Sequence, residues 1–210
     1  MKTDALPSPR SLLVRWRAHC IFDRLLYERD YHDWHLEAEA DHGVLSGTFD
    51  NGSGDQLYAH WFADGSCVLW GFAHEAPMTP YRVDPPEPWP GLLATLPERF
   101  KPLQPMEGPE PAPLTFAVWM SAGEWTRDPL EFPLDEADPD GSKDLLEPLL
   151  SDEAACDYTC DMYEVEPSRR EAILAVLAKG DADAELLRGL CPDATDDLEK
   201  RLADIADLPH

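Results

Sequence analysis

The 210-residue chain has no long apolar segment and few basic residues. No stretch approaches the roughly 20 apolar residues that span a bilayer. Residues 1–10 are polar and contain proline, without the apolar core of a secretion signal. Lys and Arg number 17 against 42 Asp and Glu, a formal net charge of −25. Such a surface repels phosphates and anionic lipids, so we expect the protein to bind neither nucleic acid nor membrane. Because a secretion signal is missing, we expect it to be cytoplasmic.

Catalytic motifs and a disulfide framework are also missing. Five cysteines are an odd number, and without an export signal they favour reduced thiols. The sequence contains no phosphate-cradling glycine loop, dinucleotide fingerprint, nucleophile elbow or His-Glu-x-x-His zinc motif. An apolar fraction of 43% with seven Trp nevertheless indicates a folded chain. We therefore expect a folded protein that is more consistent with a binding function than with catalysis.

The negative charge is concentrated in the second half of the chain. Residues 1–105 carry 15 acids and 9 bases, a net charge of −6, whereas residues 106–210 carry 27 and 8, a net charge of −19. Residues 131–166 contain 13 acids and one base. An acidic surface of this kind keeps many ordinary proteins soluble, and it also suits recognition of a basic protein partner. The predicted partner-binding residues are Asp152, Glu153, Asp157 and Asp161.

The first half predicts a helix followed by an antiparallel sheet. A Ser8-Pro9 start and good helix formers favour a helix over residues 11–29, although part of that stretch alternates as a strand does. Four segments then alternate apolar and polar residues, with turn-forming residues between them. The predicted strands of this meander are residues 34–40, 44–49, 56–63 and 66–73.

The turns predict a register for the meander. A two-residue turn at 64–65 pairs Ala63 with Ser66, and a six-residue loop pairs Phe49 with Gln56. Because paired side chains share a face, one face is predicted to be almost wholly apolar and to form the core. That face collects Leu36, Ala38, Ala40, Val44, Leu57, Trp61, Val68, Trp70 and Phe72. The mixed face collects His35, Glu37, Glu39, Leu45, Phe49, Tyr58, His60, Phe62, Cys67 and Leu69.

Proline dominates the middle of the chain. Residues 84–113 contain ten of the 21 prolines, which excludes a central strand or a long helix, so this segment is predicted to cross the surface. A short helical turn is predicted at 91–95. A buried strand at 114–120, with a short partner at 130–132, extends the predicted sheet.

The last third of the chain predicts short helices. Ser151 suits an N-cap, Pro167 suits a helix start, and a final helix is predicted from Thr195. The predicted fold class is α+β, with an antiparallel sheet of four to six strands flanked by helix. The sheet domain is predicted at residues 8–134 and an acidic helical region packed on it at 135–210.

One candidate for chemistry lies on the mixed face of the predicted sheet. Glu39 and His60 fall two strands apart there, about 10 Å between backbones, with Glu37 and Tyr58 nearby. A neutral imidazole beside carboxylates suits general acid–base catalysis or a divalent metal ion. The alternative is a hydrogen-bonded structural histidine beneath a covering element, with solvated glutamates.

A second candidate follows the spacing of a calcium-binding loop. Acids fall at positions 1, 3, 5, 9 and 12 around Gly141, as hard oxygen ligands would. Position 1 is Glu instead of Asp, Lys143 takes an apolar position, and prolines interrupt the incoming helix. The alternative is a helix-capping turn in a very acidic region. The candidate ligands of a divalent metal are Glu136, Asp138, Asp140, Asp144 and Glu147.

Two function classes remain open from the sequence. The first is a cytosolic binding protein, such as an acidic inhibitor or an immunity-type protein, which needs no cofactor. The second is a small metal-assisted or general acid–base enzyme that uses the mixed face of the sheet. The sequence leaves the partner, the substrate and the oligomeric state open.

Overall fold

A computed structural model describes residues 3–27, 31–133, 136–191 and 198–209. An antiparallel six-stranded sheet confirms the predicted α+β class and its meander, with strand order β1-β2-β3-β4-β7-β8. The strands of this sheet are β1 (Trp34–Glu39), β2 (Val44–Asp50), β3 (Gln56–Phe62), β4 (Cys67–Phe72), β7 (Phe116–Ser121) and β8 (Glu124–Thr126). A separate two-stranded ribbon consists of β5 (Met106–Glu107) and β6 (Glu110–Pro111).

Six α-helices accompany the sheets in the residues that the structure describes. They are α1 (Pro9–Leu26), α2 (Ser142–Leu150), α3 (Asp152–Met162), α4 (Arg170–Leu177), α5 (Ala184–Leu190) and α6 (Leu198–Ala206). Ser8 caps α1 as predicted, because its side chain accepts a hydrogen bond from the Ser11 N–H. The predicted start at Thr195 lies outside the described residues. Within the described part of the chain, no helix has the length and apolar character needed to cross a membrane.

Contacts divide the chain into two compact units. One unit comprises Met1–Leu6 and Glu39–Leu146, and the other comprises Pro7–Ala38 and Glu147–His210. The first contains most of the sheet and is called the sheet unit here; the second contains α1 with the C-terminal helices and is called the helical unit. The predicted division between residues 134 and 135 differs from this one, because α1 groups with the C-terminal helices.

The predicted register of β3 with β4 is wrong by one residue. Phe62 and Ser66 close a three-residue turn, with the Phe62 N–H donating to the Ser66 carbonyl at 3.0 Å. Gly65 takes a φ of +82°, and the Asp64 carboxylate accepts hydrogen bonds from the Ser66 N–H and hydroxyl. A single left-handed glycine and this side-chain bond favour a three-residue turn over the two-residue turn that the Asp-Gly pair predicts.

The register of β2 with β3 is also shifted by one residue. Asp50 pairs with Gln56, so the loop has five residues instead of the predicted six. The Asn51 side chain accepts hydrogen bonds from the Ser53 and Asp55 N–H groups, which tightens the loop. The two shifts exchange the faces of β2 and β4 relative to β3, as a one-residue slip must.

Both faces of the sheet are therefore apolar, which corrects the predicted division into a core face and a mixed face. Val68 and Trp70 lie on the same face as His60 and Tyr58, not beside Leu57. The other face contains the buried residues Phe49, Leu57, Ala59, Trp61, Leu69, Phe116 and Val118. On that face Gly71 lies opposite Phe116, and a β-carbon on Gly71 would come within 2.1 Å of the phenyl ring.

The proline-rich segment also differs from its prediction, because part of it covers the sheet instead of only crossing the surface. Leu96 and Phe100 are buried against Val68, Trp70 and Trp119. Residues 91–95, where a short helical turn is predicted, form consecutive turns and no helix. A 3₁₀ turn at Lys101–Leu103 follows. The predicted partner strand at 130–132 is absent from the described residues, and β8 pairs with β7 instead.

Candidate functional site

The four acids predicted to bind a partner lie on α3. Ser151 caps this helix, its hydroxyl oxygen accepting the Ala154 N–H at 3.0 Å. Ala155, Cys156 and Thr159 form the buried side of the helix. The opposite side carries exposed acids about one turn apart, here called the acidic face: Glu153, Asp157, Asp161 and Glu164.

Two of the four predicted partner-binding acids form ion pairs within the protein. Asp152 accepts a hydrogen bond from Arg15 Nε at 2.8 Å, and Asp157 forms an ion pair with Arg170 at 2.5 Å. Glu153 and Asp161 form no ion pair with any residue that the structure describes. The acids open to a partner are therefore at the two ends of the acidic face.

Glu164 extends the acidic face and was not predicted from the sequence. It follows the last turn of α3 with a φ of +49°, and the Val165 N–H donates to the Cys160 carbonyl at 3.0 Å. This hydrogen bond closes a helix end at which glycine is the usual residue. The only sequence signal was indirect, since no glycine follows the helix that Ser151 opens.

Glu39 and His60 do come together in the sheet unit. The Nε2 atom of His60 lies 3.9 Å from Oε1 of Glu39, and the Ser46 hydroxyl donates a hydrogen bond to that same oxygen. Ser46 pairs directly with His60 across β2 and β3. The three side chains form one polar group on the face that also carries Val68.

Burial limits what His60 can do chemically. Its side chain is only 10% exposed, and burial lowers the pKa of the imidazole to about 4 although the Glu39 carboxylate opposes this. Its buried Nδ1 atom makes no hydrogen bond to a described residue. At neutral pH the ring is therefore neutral, with Nδ1 unpaired and Nε2 3.9 Å from the carboxylate, which fits a covered structural histidine as well as a general base.

The other two candidates for catalysis do not join this group through direct hydrogen bonds. The Tyr58 hydroxyl donates to Oε1 of Gln56 at 2.9 Å, and burial raises the pKa of the phenol. Glu37 is an exposed residue of β1 in the helical unit. The polar group that the structure defines is therefore Glu39, Ser46 and His60.

Two acids of the calcium-loop spacing accept hydrogen bonds at the start of α2. Asp138 accepts the N–H groups of Lys143 at 3.0 Å and Asp144 at 3.1 Å, and Asp140 accepts the Ser142 N–H and hydroxyl. Asp140 is buried and also pairs with Arg127. Its pKa is held below the ordinary range by these partners, against the effect of burial. Two of the five predicted ligands thus have hydrogen-bond partners within the protein.

The remaining predicted metal ligands lie at the surface. Glu136, Asp144 and Glu147 are exposed. Among the described residues, no group of three or more His, Cys, Asp or Glu side chains is arranged to hold a metal ion. A metal ion at these carboxylates stays a prediction from the sequence.

The helical unit encloses a polar group that was not predicted from the sequence. Asp23 of α1 has no exposed surface, and its Oδ2 accepts the Trp34 N–H at 3.0 Å. His32 Nδ1 lies 3.8 Å from the same oxygen, and the Tyr163 hydroxyl lies beside the carboxyl. Asp23 Oδ1, His32 Nδ1 and Tyr163 Oη are buried without a hydrogen-bond partner of normal geometry within the described residues. We call Asp23, His32, Trp34 and Tyr163 the Asp23 cluster.

Burial sets the protonation of the Asp23 cluster. It raises the pKa of Asp23, while hydrogen bonds from the Trp34 and Asp33 N–H groups oppose the rise. Burial likewise raises the pKa of Tyr163 far above its ordinary value, and the nearby Asp23 charge adds to the effect. The cluster therefore holds a phenol and a carboxyl that is easily protonated, and it fastens the start of β1 to α1.

All five cysteines carry thiols, as the sequence predicts, and burial makes Cys20 and Cys156 poorly suited to nucleophilic chemistry. Burial raises the pKa of Cys20 to about 12, and burial with the neighbouring Cys160 raises that of Cys156 to about 11. A thiol with so high a pKa is almost never a thiolate at neutral pH.

Comparison with models of protein families, with curated proteins and with solved structures gives no match. The function is therefore inferred from the residues themselves. Three places carry unusual chemistry: the acidic face of α3, the His60 group and the Asp23 cluster.

Proposed function

We propose that the protein is a non-enzymatic binding protein, of the inhibitor or immunity type, that engages a basic protein partner. The acidic face of α3 is the proposed contact surface. Glu164 is the observation that carries this proposal. It combines a side chain at positive φ with a negative charge at the C-terminal end of a helix, and each feature is locally unfavourable. Residues whose backbone conformation or charge is locally unfavourable cluster at functional sites.

The spacing of the other acids supports the same proposal. Glu153, Asp157 and Asp161 are four residues apart, and like charges at this spacing destabilise a helix by about 0.2–0.5 kcal/mol per pair, which the Arg170 ion pair with Asp157 offsets only in part. The last turn of α3 contains no basic residue to offset the helix dipole. Cations from a partner would remove both penalties, so binding would gain from charges that folding alone disfavours.

A charge-reversal experiment with a matched control tests the proposal. The test variant is E153K/D161K/E164K, and the control is E107K/E110K/E124K, which changes net charge equally at exposed acids of the sheet unit. The probe is a lysine- and arginine-rich peptide, and association rates are measured at low and at physiological salt. We expect the α3 variant to lose about tenfold in association rate and the control to lose much less. Equal losses would mean that only net charge matters, which contradicts the proposal.

The alternative function is a small acid–base enzyme, with or without a metal ion, at the His60 group. The observation in its favour is that the side chains of Ser46 and His60 both approach the Oε1 atom of Glu39. Metal analysis of the purified protein and nuclear magnetic resonance titration of His60 test it. A bound stoichiometric metal, or a ligand that protects His60, supports the enzyme. A metal-free protein whose His60→Ala variant binds the same partners supports the binding protein.

A further inference from the structure

The sheet unit exposes apolar side chains on two segments that a hydrogen bond joins. Three of the five large hydrophobic residues that are exposed in the described chain lie in two neighbouring segments. They are Tyr81 at 58% exposure, Val83 at 43% and Phe132 at 40%. Exposed apolar residues that are grouped in this way, unlike scattered ones, mark contact surfaces.

The loop that presents Tyr81 and Val83 is held in shape from within. The Arg82 guanidinium donates to the carbonyls of Thr79 at 3.0 Å and Glu87 at 2.7 Å. The Glu87 N–H returns a hydrogen bond to the Pro80 carbonyl at 3.1 Å. These bonds use Arg82 inside the loop, and the loop is rich in proline. Because so little freedom is left to lose, binding through this loop costs little conformational entropy.

Trp89 connects this loop to the second segment. The Arg82 guanidinium lies over the Trp89 ring at 4.8 Å, and the Trp89 indole N–H donates to the Glu131 carbonyl at 3.1 Å. Phe132 follows Glu131 directly and packs under the Arg127 guanidinium at 4.9 Å. We call Tyr81, Val83, Trp89 and Phe132 the aromatic loop surface. Tyr and Trp are the residues over-represented at the energetic centres of protein interfaces.

The exposed charges around the aromatic loop surface are negative. Asp84, Glu87 and Glu131 are exposed, and none forms an ion pair with a residue that the structure describes. Arg82 is bonded to backbone carbonyls and Arg127 is paired with Asp140. A partner therefore meets an apolar centre with a rim of unpaired carboxylates.

We propose that the aromatic loop surface docks a protein partner whose apolar contact residues are ringed by Lys and Arg. Charge complementarity selects this occupant over a second copy of the chain, since a second copy would oppose the same three acids to one another. The surface uses residues of the sheet unit alone. The proposal therefore stands whether or not α3 binds a partner. It adds an apolar contact at the aromatic loop surface to the charged contact proposed for the acidic face of α3.

Peptide selection on the intact protein tests this surface. Random peptides displayed on phage are selected on the immobilised full chain, and each enriched peptide is synthesised and titrated against variants. The apolar test variant is Y81S/V83S, and its control is M106S, which changes an equally exposed residue elsewhere in the sheet unit. The charge test variant is D84N/E87Q/E131Q, and its control is E107Q/E110Q/E124Q. Unchanged thermal unfolding midpoints verify that each variant is folded.

The expected peptides combine aromatic or aliphatic residues with Lys or Arg. Their affinity should fall about tenfold or more in Y81S/V83S and stay within about twofold in M106S. The charge variant should weaken binding severalfold and reduce its salt dependence relative to its control. Peptides without basic enrichment, or with equal losses in test and control variants, would overturn the proposal. Self-association of the intact protein that Y81S/V83S abolishes would assign the surface to a second copy and would also overturn it.

Discussion

Replacing Asp23 separates two roles of a buried carboxyl: accepting a hydrogen bond and carrying a charge. Asp23→Asn keeps an oxygen for the Trp34 N–H and removes the charge. It also brings an amide N–H close to the Tyr163 hydroxyl, which has no hydrogen-bond partner of normal geometry within the described residues. Asp23→Ala removes the acceptor altogether. An unpaired buried N–H costs about 1–3 kcal/mol, so we expect the alanine variant to lose about that much unfolding free energy at neutral pH. The asparagine variant should equal or exceed the natural protein.

The pH dependence follows from the direction of the pKa shift. Asp23 has a raised pKa in the folded state, so the folded protein binds the proton more tightly than the unfolded chain does. This contribution is fully present below the ordinary pKa of 3.8 and is lost as pH rises through the raised folded value. Relative to Asp23→Asn, the natural protein should therefore lose stability as pH rises through that window.

Urea unfolding followed by tryptophan fluorescence, over a series of pH values, gives both results. The difference in unfolding free energy between the natural protein and each variant is plotted against pH. If Asp23→Asn is as destabilised as Asp23→Ala at neutral pH, the ionised carboxylate itself is required. In that case our account of burial as the dominant effect on Asp23 is wrong.

Four further substitutions give results that thermal or urea unfolding measures directly. Gly71→Ala should cost at least about 1–3 kcal/mol, because its β-carbon would overlap the Phe116 ring, whereas Gly189→Ala in α5 meets no atom within 4 Å and should stabilise by about 0.5–1 kcal/mol. Equal effects would contradict this packing. Glu164→Gly should stabilise by about 0.5–1 kcal/mol and slow capture of the basic peptide; a stabilised variant with unchanged capture would separate strain from binding. His19 has a pKa lowered to about 4 by burial, so stability should fall as pH drops from 6.5 towards 4, and His19→Gln should reduce that slope. An unchanged slope would mean that other groups cause the acid sensitivity.

The strands could be placed from the sequence because their ends are marked locally. Alternation and turn residues locate all four strands of the N-terminal meander to within about two residues. The register could not be placed as well, since it depends on hydrogen bonds that the Asp64 and Asn51 side chains accept within the turns. The Asp64 carboxylate binds Ser66 and converts a two-residue turn into a three-residue turn. Counting residues between strands does not reveal which side chains will bond to the turn.

The candidate sites differ in how far the sequence could predict them. The approach of Glu39 to His60 was expected from the predicted sheet, and it is observed although the register of β2 with β3 differs from the prediction by one residue. Asp23 was missed because an acid in a helix is usually solvated. Its position offered a signal, since Trp16, Cys20 and Asp23 follow one another by four and three residues along α1. An acid within such a stripe is enclosed by it.

The distance along the chain between α1 and its partner helices affects how the helical unit folds during protein synthesis. The apolar side of α1 includes Leu12, Trp16 and Ile21, which are buried in the complete protein, and α1 contacts α3, α4 and α6. These helices begin only after residue 151. At a synthesis rate of about 5–20 residues per second, α1 leaves the ribosome roughly ten seconds before its partners exist. During translation the apolar side of α1 therefore stays without its partner helices, and the helical unit can close only after α6 has been synthesised.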